Sequence, residues 1–176
     1  ELGQCVGSEN PNATAAFNWA GFLLGAWHDD RLITGKSMKS GQAVVALREE
    51  GCRSNGISAV RRGLRMRFGD DWYQSPDRAA IEFIRQAALP ATLYDRFLSE
   101  MNGWVVPVGL QRLVMHGIAH ISGGGIADKF GEDLIFRHGL SAVLNDLYNP
   151  PDVLQMVVEE TGAKPDETYR TFSSGN

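Results

Sequence analysis

Twenty of the 176 residues are glycine, roughly 11% where an average protein has about 7%. They fall so as to divide the chain into short pieces. Gly41 and Gly51 bracket one apolar run, Gly103 and Gly162 close others, and Gly123-Gly124-Gly125 stand together. Glycine supplies backbone conformations that other residues resist, so a chain punctuated this way is built on tight turns and on close approach of backbone to ligand. The longest apolar stretch, Trp19 to Trp27, is far short of the ~20 residues a membrane-spanning helix needs.

The remaining composition is that of an ordinary globular protein. Apolar residues make up 43% and charged residues 22%, enough to form a hydrophobic core and exclude wholesale disorder. The length suits one domain, or one and part of another. With 17 Lys+Arg against 21 Asp+Glu the net charge is −4. That balance argues against nucleic acid as a partner, which requires a concentrated positive surface. Cys5 and Cys52 are the only cysteines and form no C-x-x-C pair, which excludes a four-cysteine zinc site or a disulfide framework and points to a reducing, cytoplasmic location. No signal peptide is visible and no membrane partner is expected. The sequence opens on Glu1 rather than Met, which suggests a longer product.

Residues 1–15 read as a linker, and 16–176 as one domain. Residues 16–27 read as an aromatic-rich strand and Ala43 to Leu47 as a second, buried one. Ser54-Asn55-Gly56 supplies cap residues for a helix over 56–68, with Ile57, Val60, Leu64 and Phe68 on its apolar stripe. A second helix is expected from Ser75-Pro76-Asp77, burying Ala80, Ile81, Ile84 and Ala88 and stopping before Pro90. A third runs from Thr92 to Met101. Residues 108–116 look helical, and Ile118 to Ile121 and Leu140 to Leu144 look like strands. Asn149-Pro150-Pro151-Asp152 opens the clearest helix, with Val153, Leu154, Val157 and Val158 inward and Gly162 at its end. Pro165-Asp166 begins a last turn through Tyr169 and Phe172. The implied fold class is α/β (α+β), three layers with a mixed sheet flanked by helices.

The sharpest chemical feature is Ala119-His120-Ile121-Ser122-Gly123-Gly124-Gly125. Consecutive glycine amides can form a nest that holds a phosphate or carboxylate. Ser122 would add a hydroxyl, and His120 can move a proton near neutral pH. The alternative is a glycine-rich turn beside an ordinary hydrogen-bonded histidine, and the motif is neither a Walker loop nor a dinucleotide fingerprint. His116 and His120 would share a helix face as a metal pair, but Gly117 and its apolar neighbours favour a strand, on which they stand ~13 Å apart. No metal site is expected within the chain. Ser54 and Asn55 read either as ligand-binding groups at a helix N-terminus or simply as caps. Arg61, Arg62, Arg65 and Arg67 read as a solvated face rather than a phosphate site.

Taken in order, AGFLLG at 20–25, SGQAVVAL at 40–47, GCRSNG at 51–56, HGIAHISGGG at 116–125 and TYRTFSSG at 168–175 resemble the C-terminal domain of the AIR synthase (phosphoribosylformylglycinamidine cyclo-ligase) family. That family shows an A-G-F-x-x-G strand, a G-x-H-S-N-G turn, an A-H-I-T-G-G-G turn and an M-Y-R-T-F-N-x-G segment. Pro90 to Tyr94 echoes its T-P-T-x-I-Y. Val6-Gly7-Ser8-Glu9 echoes the G-G-E that closes its N-terminal domain. The sequence departs from the pattern at Arg53, where the family has histidine, at Lys129-Phe130-Gly131-Glu132, where it has N-I-P-R, and at Ser173, where it has asparagine.

The resemblance implies ATP-dependent closure of the imidazole ring of formylglycinamidine ribonucleotide, a step of purine biosynthesis. ATP phosphorylates the amide oxygen, and an amidine nitrogen then displaces phosphate. It assigns His120 an acid/base or polarising role. Ser54, Asn55, Gly56, Ser122, Gly123, Gly124, Gly125, Arg170 and Thr171 fall to the ribonucleotide substrate and its phosphate, and Glu9 to the nucleotide and metal side. ATP and Mg²⁺ would bind mostly to an N-terminal domain absent from these residues, through which family members form homodimers. Two other classes stay open: a related ATP-dependent enzyme on another amide or carboxylate, which the loss of the family's histidine at position 53 would favour, and a binding domain without catalysis that kept only the fold.

Overall fold

The computed structural model describes residues 21–53, 55–104, 109–173 and 175. Among the described residues five α-helices carry the architecture: α1 (Ile57–Phe68), α2 (Arg78–Ala87), α3 (Asp95–Met101), α4 (Asp152–Thr161) and α5 (Pro165–Thr171). Between α3 and α4 lies a π-helix, Ala127–Ile135, closed by a 3₁₀ turn at Phe136–His138.

Helices α1, α2 and α4 pack on one another around Val60, Leu64, Phe83, Val153, Leu154 and Val157, with Cys52 and Phe172 completing the core from flanking segments. The expected stripes of α1 and α4 supply most of this set. In α2 the expectation is corrected: Phe83 takes the core seat beside Ala80, while Ile81 is 54% exposed. Only one side of so short a helix faces its neighbours, and the larger ring occupies it. Gly63 lies in α1 where the Phe83 ring comes close, a Cβ there standing 3.4 Å from the ring.

The helix boundaries follow local chemistry. Asp77, not Ser75, caps α2, its carboxylate accepting from the Ala79 N–H at 2.8 Å. Gly162, at φ +65°, ends α4 in the left-handed conformation that favours glycine. The α1 cap is Gly56, at φ +73°, with no side-chain cap, so Asn55 is not the cap its position suggests.

The expected mixed sheet is not present: among the described residues there is no strand. Residues 16–20 of the first candidate lie outside the described residues. Its remainder, with Ala43 to Leu47, Ile118 to Ile121 and Leu140 to Leu144, runs without a ladder. Phe22, Leu23, Leu24, Val45 and Val143 are all 79–94% exposed. An apolar, β-branched run advertises burial, but a strand exists only where a second one lies alongside, and these runs have no such neighbour among the described residues. Residues 109–116 form no helix either. The Arg112 and Leu113 amides both donate to the Met101 carbonyl, at 2.9 and 3.0 Å, so the segment folds back on the end of α3 instead of bonding within itself. No helix among the described residues is long and apolar enough to cross a membrane.

Candidate functional site

Three of the sequence motifs meet. The Cys52–Gly56 turn closes through the Asn55 N–H to the Cys52 carbonyl, 2.8 Å. The Asn55 side chain then reaches across, its Nδ2 donating to the Thr171 carbonyl at 2.7 Å. Gly56 lies against the Phe172 ring so closely that a Cβ would stand 2.0 Å from it. On the other side Gly125, at φ +64°, abuts the Tyr169 carbonyl, 1.6 Å from where a Cβ would be. Both glycines are required by contact as well as by conformation. Thus the Tyr169–Phe172 segment is clasped between the Asn55-Gly56 turn and the triglycine turn.

The triglycine turn closes on itself, with the Gly125 N–H donating to the Ser122 carbonyl at 2.8 Å. This corrects the expectation of three amides offered to an anion, since the third is already engaged. Among the described residues neither the Gly123 nor the Gly124 N–H meets a backbone carbonyl. Gly124, at φ +96°, carries the Asp128 carboxylate against it, the Oδ2 lying 2.4 Å from an ideal Cβ position. Next to it a cavity of about 300 Å³ opens between the π-helix and residues 142–144, with Ile126, Phe130 and Ile135 in its lining and Asp128 and Arg170 among its charged groups.

His120 is exposed and meets Arg53, whose Nε–H donates to His120 Nε2 at 3.3 Å. The Arg53 Nη1 donates to Glu49 Oε2 at 2.5 Å and to the Thr92 carbonyl at 2.9 Å. Its guanidinium also lies 5.8 Å from the centre of the Tyr94 ring. Glu49 is 3% exposed, and its carboxylate takes further hydrogen bonds from the backbone N–H groups of Glu50, Gly51 and Thr92. Glu49, Thr92 and Asp128 are absent from the sequence-derived set. The one signal for Glu49 is a carboxylate four residues before Arg53, a spacing that carries meaning on a helix and none in a turn.

The other predicted residues are distributed as follows. Ser54 and Glu9 lie outside the described residues. Thr171 gives its carbonyl to Asn55 and donates its hydroxyl to the Glu167 carbonyl at 2.9 Å. His116 is not directed towards His120; its Nδ1 is hydrogen-bonded to Ser37 Oγ at 2.9 Å. Of the α1 arginines, Arg65 pairs with Asp70 and Arg67 with Glu160. Burial pushes the Cys52 thiol up to about 11, which suits a packing residue and not a nucleophile.

No family profile matches the chain. Among curated proteins, it is 30% identical over 160 residues to a phosphoribosylformylglycinamidine cyclo-ligase of Nitrosospira multiformis, covering 90% of this chain and 42% of that protein. Proteins of the same name from Clostridium perfringens and Thermococcus gammatolerans are 28% and 29% identical, over 90% and 97% of this chain and 43% and 46% of theirs. The chain therefore spans less than half the length of these curated relatives. Over nearly the whole of its own length the chain is similar to proteins named phosphoribosylformylglycinamidine cyclo-ligase, at 27–30% identity over 90–97% of its residues.

Proposed function

We propose that the chain forms the substrate-side part of an ATP-dependent phosphoribosylformylglycinamidine cyclo-ligase, acting in the cytoplasm as a homodimer. The observation that carries this reading is the junction of the Asn55-Gly56 turn, the triglycine turn and the Tyr169–Phe172 segment. These are three stretches that resemble the family's motifs and lie far apart in sequence. In this reading the Gly123 and Gly124 amides hold the phosphoryl oxygens of the activated amide, with Arg170 as the nearby cation. Asn55 orients the ribonucleotide while tying its own turn to the Tyr169–Phe172 segment through the Thr171 carbonyl. His120 donates to, or takes a proton from, the closing amidine. ATP serves as the phosphoryl donor.

The test is made on the whole gene product that contains these residues. His120→Ala should lower turnover by roughly 10²–10⁴, the range for a positioned acid or base, and leave ATP binding nearly unchanged. Because His120 is exposed, its removal should move the melting temperature little. Unchanged turnover per folded molecule overturns its role. A second reading, the same chemistry on another amide or carboxylate, is favoured by one observation: Arg53 stands where the family pattern has histidine and contacts His120 directly. Turnover with formylglycinamidine ribonucleotide decides between the two.

A further inference from the structure

We infer that Arg53 is a positioning residue for His120, fixing the imidazole proton on Nδ1 so that Nδ1–H is the ring's available donor. A guanidinium has five N–H groups and no lone pair, so its Nε can only donate. The 3.3 Å contact to His120 Nε2 therefore requires the lone pair at Nε2 and, in the neutral ring, the proton at Nδ1.

The guanidinium is not free to turn away. Nη1 is held between the Glu49 carboxylate at 2.5 Å and the Thr92 carbonyl at 2.9 Å. The Glu49 carboxylate is itself buried and fixed by backbone amides. The backbone contributes too. Arg53 is the one non-glycine residue at positive φ, +48°, among the described residues. Such a conformation persists where surrounding contacts over-determine it. A histidine in this position would leave the choice open, since either ring can donate or accept; arginine removes the choice. The catalytic consequence of this arrangement rests on the proposed function, because only there does Nδ1–H meet a substrate.

The two ideas separate in one set of measurements. Long-range ¹H–¹⁵N spectra of the ¹⁵N-labelled whole gene product, at a pH where the imidazoles are neutral, report each histidine's tautomer. Loss of one signal set in His120→Gln assigns it. The expected result is a protonated-type Nδ1 and an unprotonated-type Nε2 at His120. A ring that is mainly protonated on Nε2, or evenly mixed, overturns the inference. Arg53→Lys keeps a cation beside Glu49 but lacks the guanidinium Nε–H, and should move the population toward Nε2–H. An unmoved tautomer in a folded Arg53→Lys protein also overturns it. If that variant does not fold, the unsubstituted protein still decides. Titration with inorganic phosphate, read at the Gly123 and Gly124 amides, tests the proposed function separately. An Nδ1–H tautomer without any phosphate response supports the positioning role and counts against the function.

Discussion

Cys52 shows how one residue's surroundings set both its chemistry and its contribution to stability. It is 1% exposed and packs with Val60, Phe83 and Phe172. Desolvation raises its thiol from an ordinary 9.0 to about 11, so its thiolate fraction at neutral pH is about a hundredfold below that of a free thiol. Mapped by mass spectrometry, alkylation of Cys52 should be slower in the native chain than in urea by at least that factor. Linkage gives a second expectation. A group whose folded value is raised contributes stability that is complete below its unfolded value and is lost as pH rises through the folded one. The stability difference between the protein and Cys52→Ala should hold below pH 9 and shrink between about 9 and about 11. Equal differences across that range in chemical denaturation would contradict it. The burial of Cys52 was not legible from its position in a glycine-bounded turn, because the residues that cover it come from α1, α2 and the segment after α5.

At the scale of elements, two glycines at the two ends of one argument predict opposite outcomes. Gly63 sits inside α1, where a methyl group would meet the Phe83 ring at an ordinary 3.4 Å. Gly63→Ala should stabilise by about 0.5–1 kcal/mol through helix propensity. Gly56 caps the same helix at φ +73° with the Phe172 ring 2.0 Å from a Cβ. Gly56→Ala should cost about 3 kcal/mol, combining left-handed strain with overpacking. Denaturant midpoints of the two variants check both signs. Helices α1 and α4 were legible because their stripes and their stops are local: Val60 and Leu64 one turn apart, Val153 to Val157 ahead of Gly162. The sheet was misread because pairing is not local, and nothing within AVVAL at 43–47 records whether a neighbour exists. Half of the site was legible for a similar reason. The glycines and Asn55 were visible as motifs, whereas the acceptor for Asn55 lies 116 residues on.

Taken whole, the molecule divides into a cemented part and a loosely attached one. The first is the α1–α2–α4 cluster with Phe172, whose side chains are 0–3% exposed. The second consists of long connecting runs, 21–27, 43–47 and 140–144, that lie along the surface with large apolar groups uncovered. Opening free energies should follow this division. Amides of Val60, Leu64, Phe83 and Val157 should be the last to exchange in deuterium, and those of residues 21–27 and 43–47 among the first. Comparable protection in the two sets, measured by hydrogen exchange with mass spectrometry, would show that the runs are held by more than the contacts described. The candidate site straddles the division. Gly56 and Phe172 belong to the cemented part, while His120 and Gly123 reach it only through turns.

The π-helix Ala127–Ile135 has a consequence best seen as a question of lineage. Wound with bonds of wider span than an α-helix, such a segment holds more chain per turn than it needs. Loss of a single codon within it, at Gly131 for example, lets it relax towards α-winding and redirects Ile135 and Phe136 relative to Ile126, while the connection after His138 takes up the change before α4 begins at Asp152. Ile135 and Phe136 would leave the lining of the cavity while Arg170, carried by α5, stayed where it is. The same deletion inside α1 would scramble the core. One stretch of this chain is therefore where a binding cavity can be gained or erased in a single step of descent without endangering the fold beneath it.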